Sequence, residues 1–309
     1  MGTSYRKPNR GCPISRCGQA SRFCVVSISV APVIPSLVLL IGPLDPSGAD
    51  GLPADAVTCA RLNCHGLAAV TALTVQDTAG IEEIHPVSAD LLDDQARCLL
   101  EDMPVQAIKV GGLYSTEAAS VVAQIAADYS QVPLVLHLGP RGPLPQDAAS
   151  QDDADDLLSA TLELVLPQAN LVVVEHMRLA HWQADGSIDT SGAPSAAQAL
   201  LAGGAEWALV LGAPLRPGHL ANTLIGPEGE TASWPWQAPP ERNGDTGGVA
   251  AAAAAAMLAQ GLPMPRAVEM ALAHADLTLA SSFLPGMGRR IPNRLGGNPF
   301  SGTSMGDAA

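Results

Sequence analysis

Short apolar runs separated by helix-length segments constrain this chain more than any other feature. The runs cover residues 37–42, 68–76, 107–113, 133–139, 171–175 and 208–212. Each is short and mainly apolar, the pattern of a strand. Residues 51–63, 89–100, 116–129, 154–166, 195–202, 247–260 and 267–282 carry helical patterning. Strands alternating with helices predict βαβ units and a mainly parallel sheet covered on both faces. Residues 250–256 are seven consecutive alanines, which as a helix interior require close packing.

Composition agrees with this class. Apolar residues make up 47% of the 309 but aromatic residues only 3%, which favours an Ala- and Leu-packed α/β core over an aromatic-rich β-sandwich. The net charge of −14 argues against a nucleic-acid partner. Residues 1–36 run the other way, with Arg6, Lys7, Arg10, Arg16 and Arg22 and no acid. Their three cysteines and scattered Gly and Pro suit a disordered leader or an over-called start, with a targeting peptide as the alternative. No apolar stretch reaches the length of a membrane span. Cys12, Cys17, Cys24, Cys59, Cys64 and Cys98 form no CxxC pair, which reads as reduced thiols of a cytoplasmic protein. The expected organisation is a leader over 1–36, one domain over 37–295 and a flexible tail over 296–309. Residues 146–156 read as an acidic surface loop or helix lead-in, and 226–246 as a loop or β excursion.

The segment that carries chemistry is residues 45–55, DPSGADGLPAD, directly after the first apolar run. It places small residues and one carboxylate at the C-terminal end of a strand, where open α/β sheets bind small ligands. Asp45 can accept hydrogen bonds from an aminopyrimidine while Gly48 and Gly51 admit close backbone approach. The same Asp can instead cap a βα turn. Gln76 ends the second run and offers both a donor and an acceptor.

Four segments, DPSGADG, TALTVQDT, DMPVQAIKVGGL and PGMGRRIPNRL, occur in that order. Together they resemble the hydroxymethylpyrimidine and phosphomethylpyrimidine kinases of thiamine biosynthesis, within the ribokinase-like superfamily. The resemblance runs from about residue 37 to 295. It implies a three-layer α/β/α sandwich, ATP and Mg²⁺ as co-substrate and cofactor, and a pyrimidine pocket containing Asp45, Ser47, Gly48, Gly51, Gln76 and Gly112. It implies a nucleotide side containing Lys109, Glu175, Asn222 and Thr246, with Gly247 and Gly248 opening a long helix as the phosphate cradle.

The resemblance also marks departures. Gly112 stands where the family has Met, which implies a looser pocket. Gly248 stands where the family has the Cys or Asp associated with activating the substrate hydroxyl, and Asp245 is a displaced candidate for that role. His137-Leu138 replaces an Asp-Pro, Val173-Val174-Glu175 a Thr-Pro-Asn, and Leu211-Gly212-Ala213-Pro214 a (Lys/Thr)-Gly-Gly-His. Arg178 lies near a family Glu. Asp50 adds a carboxylate to the glycine-rich turn. Lys109 is one of only two lysines in the chain and can equally pair with a carboxylate.

Walker A, GxGxxG and GxSxG motifs are absent. His176 and His181 have the wrong spacing for ligands on one helix face, so no resident metal site is expected. The expected function is ATP-dependent phosphorylation of hydroxymethylpyrimidine or its monophosphate. The alternatives are a non-catalytic pyrimidine-binding homologue and a kinase for another small alcohol. The expected partners are the pyrimidine and further copies of the chain.

Overall fold

The computed structural model describes residues 34–139, 151–229, 231–238, 241 and 246–295. Nine strands form one sheet in the order β3-β2-β1-β4-β5-β6-β7-β8-β9. The strands β1 (Ser36–Leu44), β2 (Cys64–Gln76), β4 (Ala107–Val110), β5 (Leu134–Leu138), β6 (Leu171–Glu175) and β7 (Trp207–Arg216) run parallel to their neighbours in this order. β3 (Ile81–Pro86) closes one edge as an antiparallel hairpin with β2. β8 (His219–Ile225) and β9 (Thr231–Pro235) close the other, also antiparallel.

The central strands are apolar on both sides because both sides are covered. Leu39 and Ile41 face one core, with Ile108, Leu136, Val172 and Val174. Val38 and Leu40 face the other, with Val135, Leu171, Val173 and Leu209. The first core is filled from α2 (Ala89–Asp102), α3 (Thr116–Asp128), α4 (Gln151–Ala160), α5 (His176–Ala184) and α6 (Ala196–Ala202). α4 runs into a π-helical turn over Thr161–Val165. The second core is filled from α1 (Gly51–Arg61), α7 (Thr246–Ala259) and α8 (Met264–Ala280). This is the expected α/β/α sandwich.

Helix starts follow the sequence. Ser88, Ser115 and Ser195 cap α2, α3 and α6, each accepting a hydrogen bond from the backbone N–H three residues on. Three elements were not foreseen as such. β3, IEEIHP, is half polar because only one strand pairs with it. β8 turns back on β7 after Gly218, whose φ of +77° suits a tight reversal. α5 begins directly at the end of β6, without a connecting loop. The 226–246 excursion contains β9. Among the described residues, no helix is long and apolar enough to cross a membrane.

The alanine run explains itself once α7 is placed. α7 lies on the sheet against β1, β4, β5 and β6 while α1 and α8 flank it. Every residue of 250–256 is at most 1% exposed. A helix covered on all sides at close range has room for a methyl group and little more. Replacing Ala253 with Leu should therefore cost about 1–3 kcal/mol by overpacking. The denaturant midpoint of A253L should fall with an unchanged m-value.

Candidate active site

The parallel strands end on one side of the molecule, and their C-terminal ends carry the residues of interest. α1 leaves β1 on one face of the sheet, whereas α2 leads into β4 on the opposite face. Between β1 and β4 the two connections diverge, which opens a crevice at the strand ends. A cavity of about 330 Å³ occupies it. Its walls include Asp45, Gly51, Gln76, Lys109, Gly112 and His137.

β1 loses its register with β2 between Gly42 and Pro43, where proline has no N–H to continue the ladder. The chain then turns into the Asp45 loop. Asp45 is 2% exposed. Its Oδ1 accepts from Ser47 N at 2.7 Å, and its Oδ2 accepts from Ser47 Oγ and Asp50 N, both at 2.9 Å. The carboxylate thus folds the loop as well as lining the cavity. Ser47 and Gly48 stand behind it as loop-forming residues, with Gly48 at φ +66°. Gly51 has φ +63°, and a Cβ there would lie 2.4 Å from Pro43 O, so only glycine fits. Asp50, the extra carboxylate, accepts from Gly51 N at 2.7 Å and caps α1.

The TALT sequence of β2 has a local function. Thr71 Oγ1 donates to Gly112 O at 2.8 Å, and Thr74 Oγ1 donates to Leu44 O at 3.1 Å. Two buried hydroxyls of β2 therefore hold the loops after β4 and β1 at the cavity rim. Gln76 follows at the strand end. A Cβ on Gly112 would meet the Tyr114 ring at 3.4 Å, so Tyr114 stands against the wall that the sequence left open.

Lys109, which the resemblance assigns to the nucleotide side, lines the same cavity as Asp45 and Gln76. It is 2% exposed, and its Nζ lies 2.6 Å from Asp55 Oδ2, itself buried on α1. Gly111 leaves room for that ammonium; a Cβ there would lie 3.0 Å from it. Burial and the Asp55 charge push the neighbouring Cys59 thiol far up, so it stays protonated.

The other residues that the resemblance assigns to the nucleotide side lie outside this cavity. Thr246 Oγ1 donates to Glu175 Oε1 at 2.7 Å, which ties the start of α7 to the end of β6. Asn222 Oδ1 accepts from Gly212 N at 3.1 Å. Gly247 and Gly248 lie buried in the first turn of α7, where the helix dipole favours an anion. None of these lines the 330 Å³ cavity. Asp245 lies outside the described residues.

The roof of the cavity was not anticipated residue by residue. Residues 286–294 fold back over the β2–β3 turn, with Gly288 N donating to Thr78 Oγ1 at 3.2 Å and Arg289 N to Thr78 O at 2.7 Å. A Cβ on Gly288 would come within 2.0 Å of Thr78 O, so the glycine is what permits the clasp. Arg294 is 6% exposed and donates from Nη2 to Ala49 O at 2.9 Å, pinning the Asp45 loop from above. Across the cavity, Arg178 of α5 stacks 5.5 Å over the Trp182 ring.

Comparison with known proteins decides the family. A family model described as phosphomethylpyrimidine kinase matches residues 45–293. The chain belongs to the phosphomethylpyrimidine kinase family. It is 31% identical over 266 residues to the hydroxymethylpyrimidine/phosphomethylpyrimidine kinase of Streptomyces coelicolor, covering 83% of this chain and 93% of that protein. It is 33% identical to the protein of that name from Mycobacterium tuberculosis, covering 76% and 85%. The fold agrees with solved structures of low identity. The pyridoxal kinase of Staphylococcus aureus in complex with pyridoxal gives a TM-score of 0.70 at 20% identity, covering 87% of this chain and 96% of that one. A phosphomethylpyrimidine kinase from Clostridium difficile gives 0.63 at 18%, covering 78% and 98%.

Two predictions follow from the buried groups around this family site. Losing one partner of a buried ion pair leaves the other charge uncompensated, so Lys109→Met should cost about 3–5 kcal/mol. The double variant K109M/D55L should recover most of that loss in a double-mutant cycle read by urea unfolding. His274 on α8 titrates below the ordinary histidine range because burial, and then the charges of Arg61 and Arg294, disfavour its protonated form. The unfolded chain therefore binds that proton more readily, and stability is lost as pH falls below about 6.5. The melting temperature should drop less steeply between about pH 7 and pH 5 in His274→Gln than in the parent.

Proposed function

We propose that this chain transfers the terminal phosphoryl group of ATP to hydroxymethylpyrimidine or to its monophosphate, as a cytoplasmic enzyme of thiamine biosynthesis. The observation that carries this reading is the joining of Asp45, Gln76 and Gly112 in one cavity at the strand ends of a chain that belongs to this family. An ionised carboxylate offers about four lone-pair sites. Asp45 uses three of its own on the loop, which leaves room to accept from the pyrimidine amino group. Gln76 presents an amide that can donate and accept toward the ring edge. Tyr114 and the Gly112 backbone supply a flat wall.

The phosphate side of this reading rests on α7 and Glu175. A solved relative in fold, the Staphylococcus aureus pyridoxal kinase in complex with AMP-PCP, supports a nucleotide of the ATP class. Mg²⁺ usually takes one or two carboxylates from a protein and the rest of its shell from phosphates and water. Glu175 fits that role, because it ends β6 and already meets the start of α7 through Thr246. When bound, the ion would neutralise charge on the transferring phosphoryl group. The start of α7 would stabilise the same charge by its dipole.

Gly248 has no side chain to take the substrate proton. Phosphoryl transfer depends mainly on positioning and charge stabilisation, so turnover survives without that group at reduced rate. General base catalysis is worth about 10²–10⁴-fold. In a coupled ADP-release assay with hydroxymethylpyrimidine and Mg·ATP, the parent should turn over slowly, and Gly248→Cys should raise kcat by about 10²-fold with little change in KM. Pyrimidine binding without ADP release in either protein would favour the non-catalytic reading.

A further inference from the structure

We propose that Arg289 is a specificity-determining residue that binds the phosphate of the monophosphorylated pyrimidine, so that the roof of the cavity selects the second phosphorylation over the first. The inference rests on the reading of the cavity as the pyrimidine site. It goes further in assigning a substrate form and a residue that recognises it.

The argument is one of charge accounting. Three carboxylates beside the cavity are engaged in building it, and Asp155 of α4 lines it as well. Asp45 accepts from Ser47 and Asp50, Asp55 holds Lys109, and Asp77 Oδ1 accepts from Ala79 N and Gly80 N. Arg290 also lines the cavity, but its Nη1 donates to Ser282 O at 2.8 Å and so anchors the strap to the end of α8. Arg289 is an exposed residue at the mouth of the cavity, and no ion pair to it is found among the described residues. A guanidinium in that position matches a phosphate by parallel N–H donors.

The placement of Arg289 is fixed by backbone. Its own N–H donates to Thr78 O, and Gly288 N donates to Thr78 Oγ1, so the residue is held at the cavity mouth in one register. The whole chain carries −14, which repels an anionic ligand at long range. A monophosphate is therefore a ligand this protein should reject unless a local cation admits it. The uncharged alcohol needs no such group.

The test compares the full chain with Arg289→Ala and Arg289→Lys by calorimetric titration of hydroxymethylpyrimidine and of its monophosphate, followed by initial rates with Mg·ATP. In R289A the Kd and KM for the monophosphate should rise about 10- to 100-fold, as expected for loss of a charge-assisted hydrogen-bond pair, while those for the alcohol stay within about twofold. R289K should recover part of the loss, since it keeps the charge but not the fork. Equal weakening of both ligands, or none of either, overturns the phosphate role and leaves the pyrimidine reading intact. A parent chain that binds neither pyrimidine overturns both.

Discussion

The central strands of this protein's sheet are buried on both faces, and the rest of the structure depends on that constraint. Because neither face meets water, the central strands can be almost wholly apolar, and polar groups are pushed to the strand ends. Chemistry can collect only there. The cavity lies where the connections from β1 and toward β4 leave on opposite faces, so the groove follows from topology. The alanine-lined α7 is the extreme case of the same constraint, since it is packed against the sheet and between two helices at methyl-group distance.

At the cavity, several groups serve both the fold and the site. Asp45 organises its own loop and still faces the cavity. Lys109 and Asp55 pair across β4 and α1, fixing the first helix against the strand that leads to Gly112. Thr71 and Thr74 tie neighbouring loops to β2. Such double use means that substitutions at these residues affect stability as well as the shape of the cavity. The start of α7 is built more sparingly, from the Glu175–Thr246 contact.

How much of this was legible in the sequence depended on whether the signal was local. The parallel strands could be read because their burial gives continuous apolar runs. The starts of α2 and α3 could be read because helical patterning is a short-range signal, although the serine caps before them were not singled out. The DPSG and TALTVQDT segments gave Asp45 and Gln76. β3 escaped because an edge strand with one neighbour need not be apolar, and α5 because it starts without a loop. The Lys109–Asp55 pair joins residues 54 positions apart, and no local pattern encodes it. The hydroxymethylpyrimidine kinase resemblance included the GMGRRIPNRL segment, but only its folding over Thr78 gives Arg289 and Arg294 a place at the site.

That clasp has a consequence for the order in which the protein acquires its properties. The two cores are complete by the end of α8, yet the roof of the cavity comes from residues that follow it. During synthesis the sheet and its helices can assemble while the crevice still lies open, and the enclosure closes only when the last described segment has emerged. Completion of the two cores and enclosure of the cavity thus draw on different stretches of chain, and the second stretch emerges later.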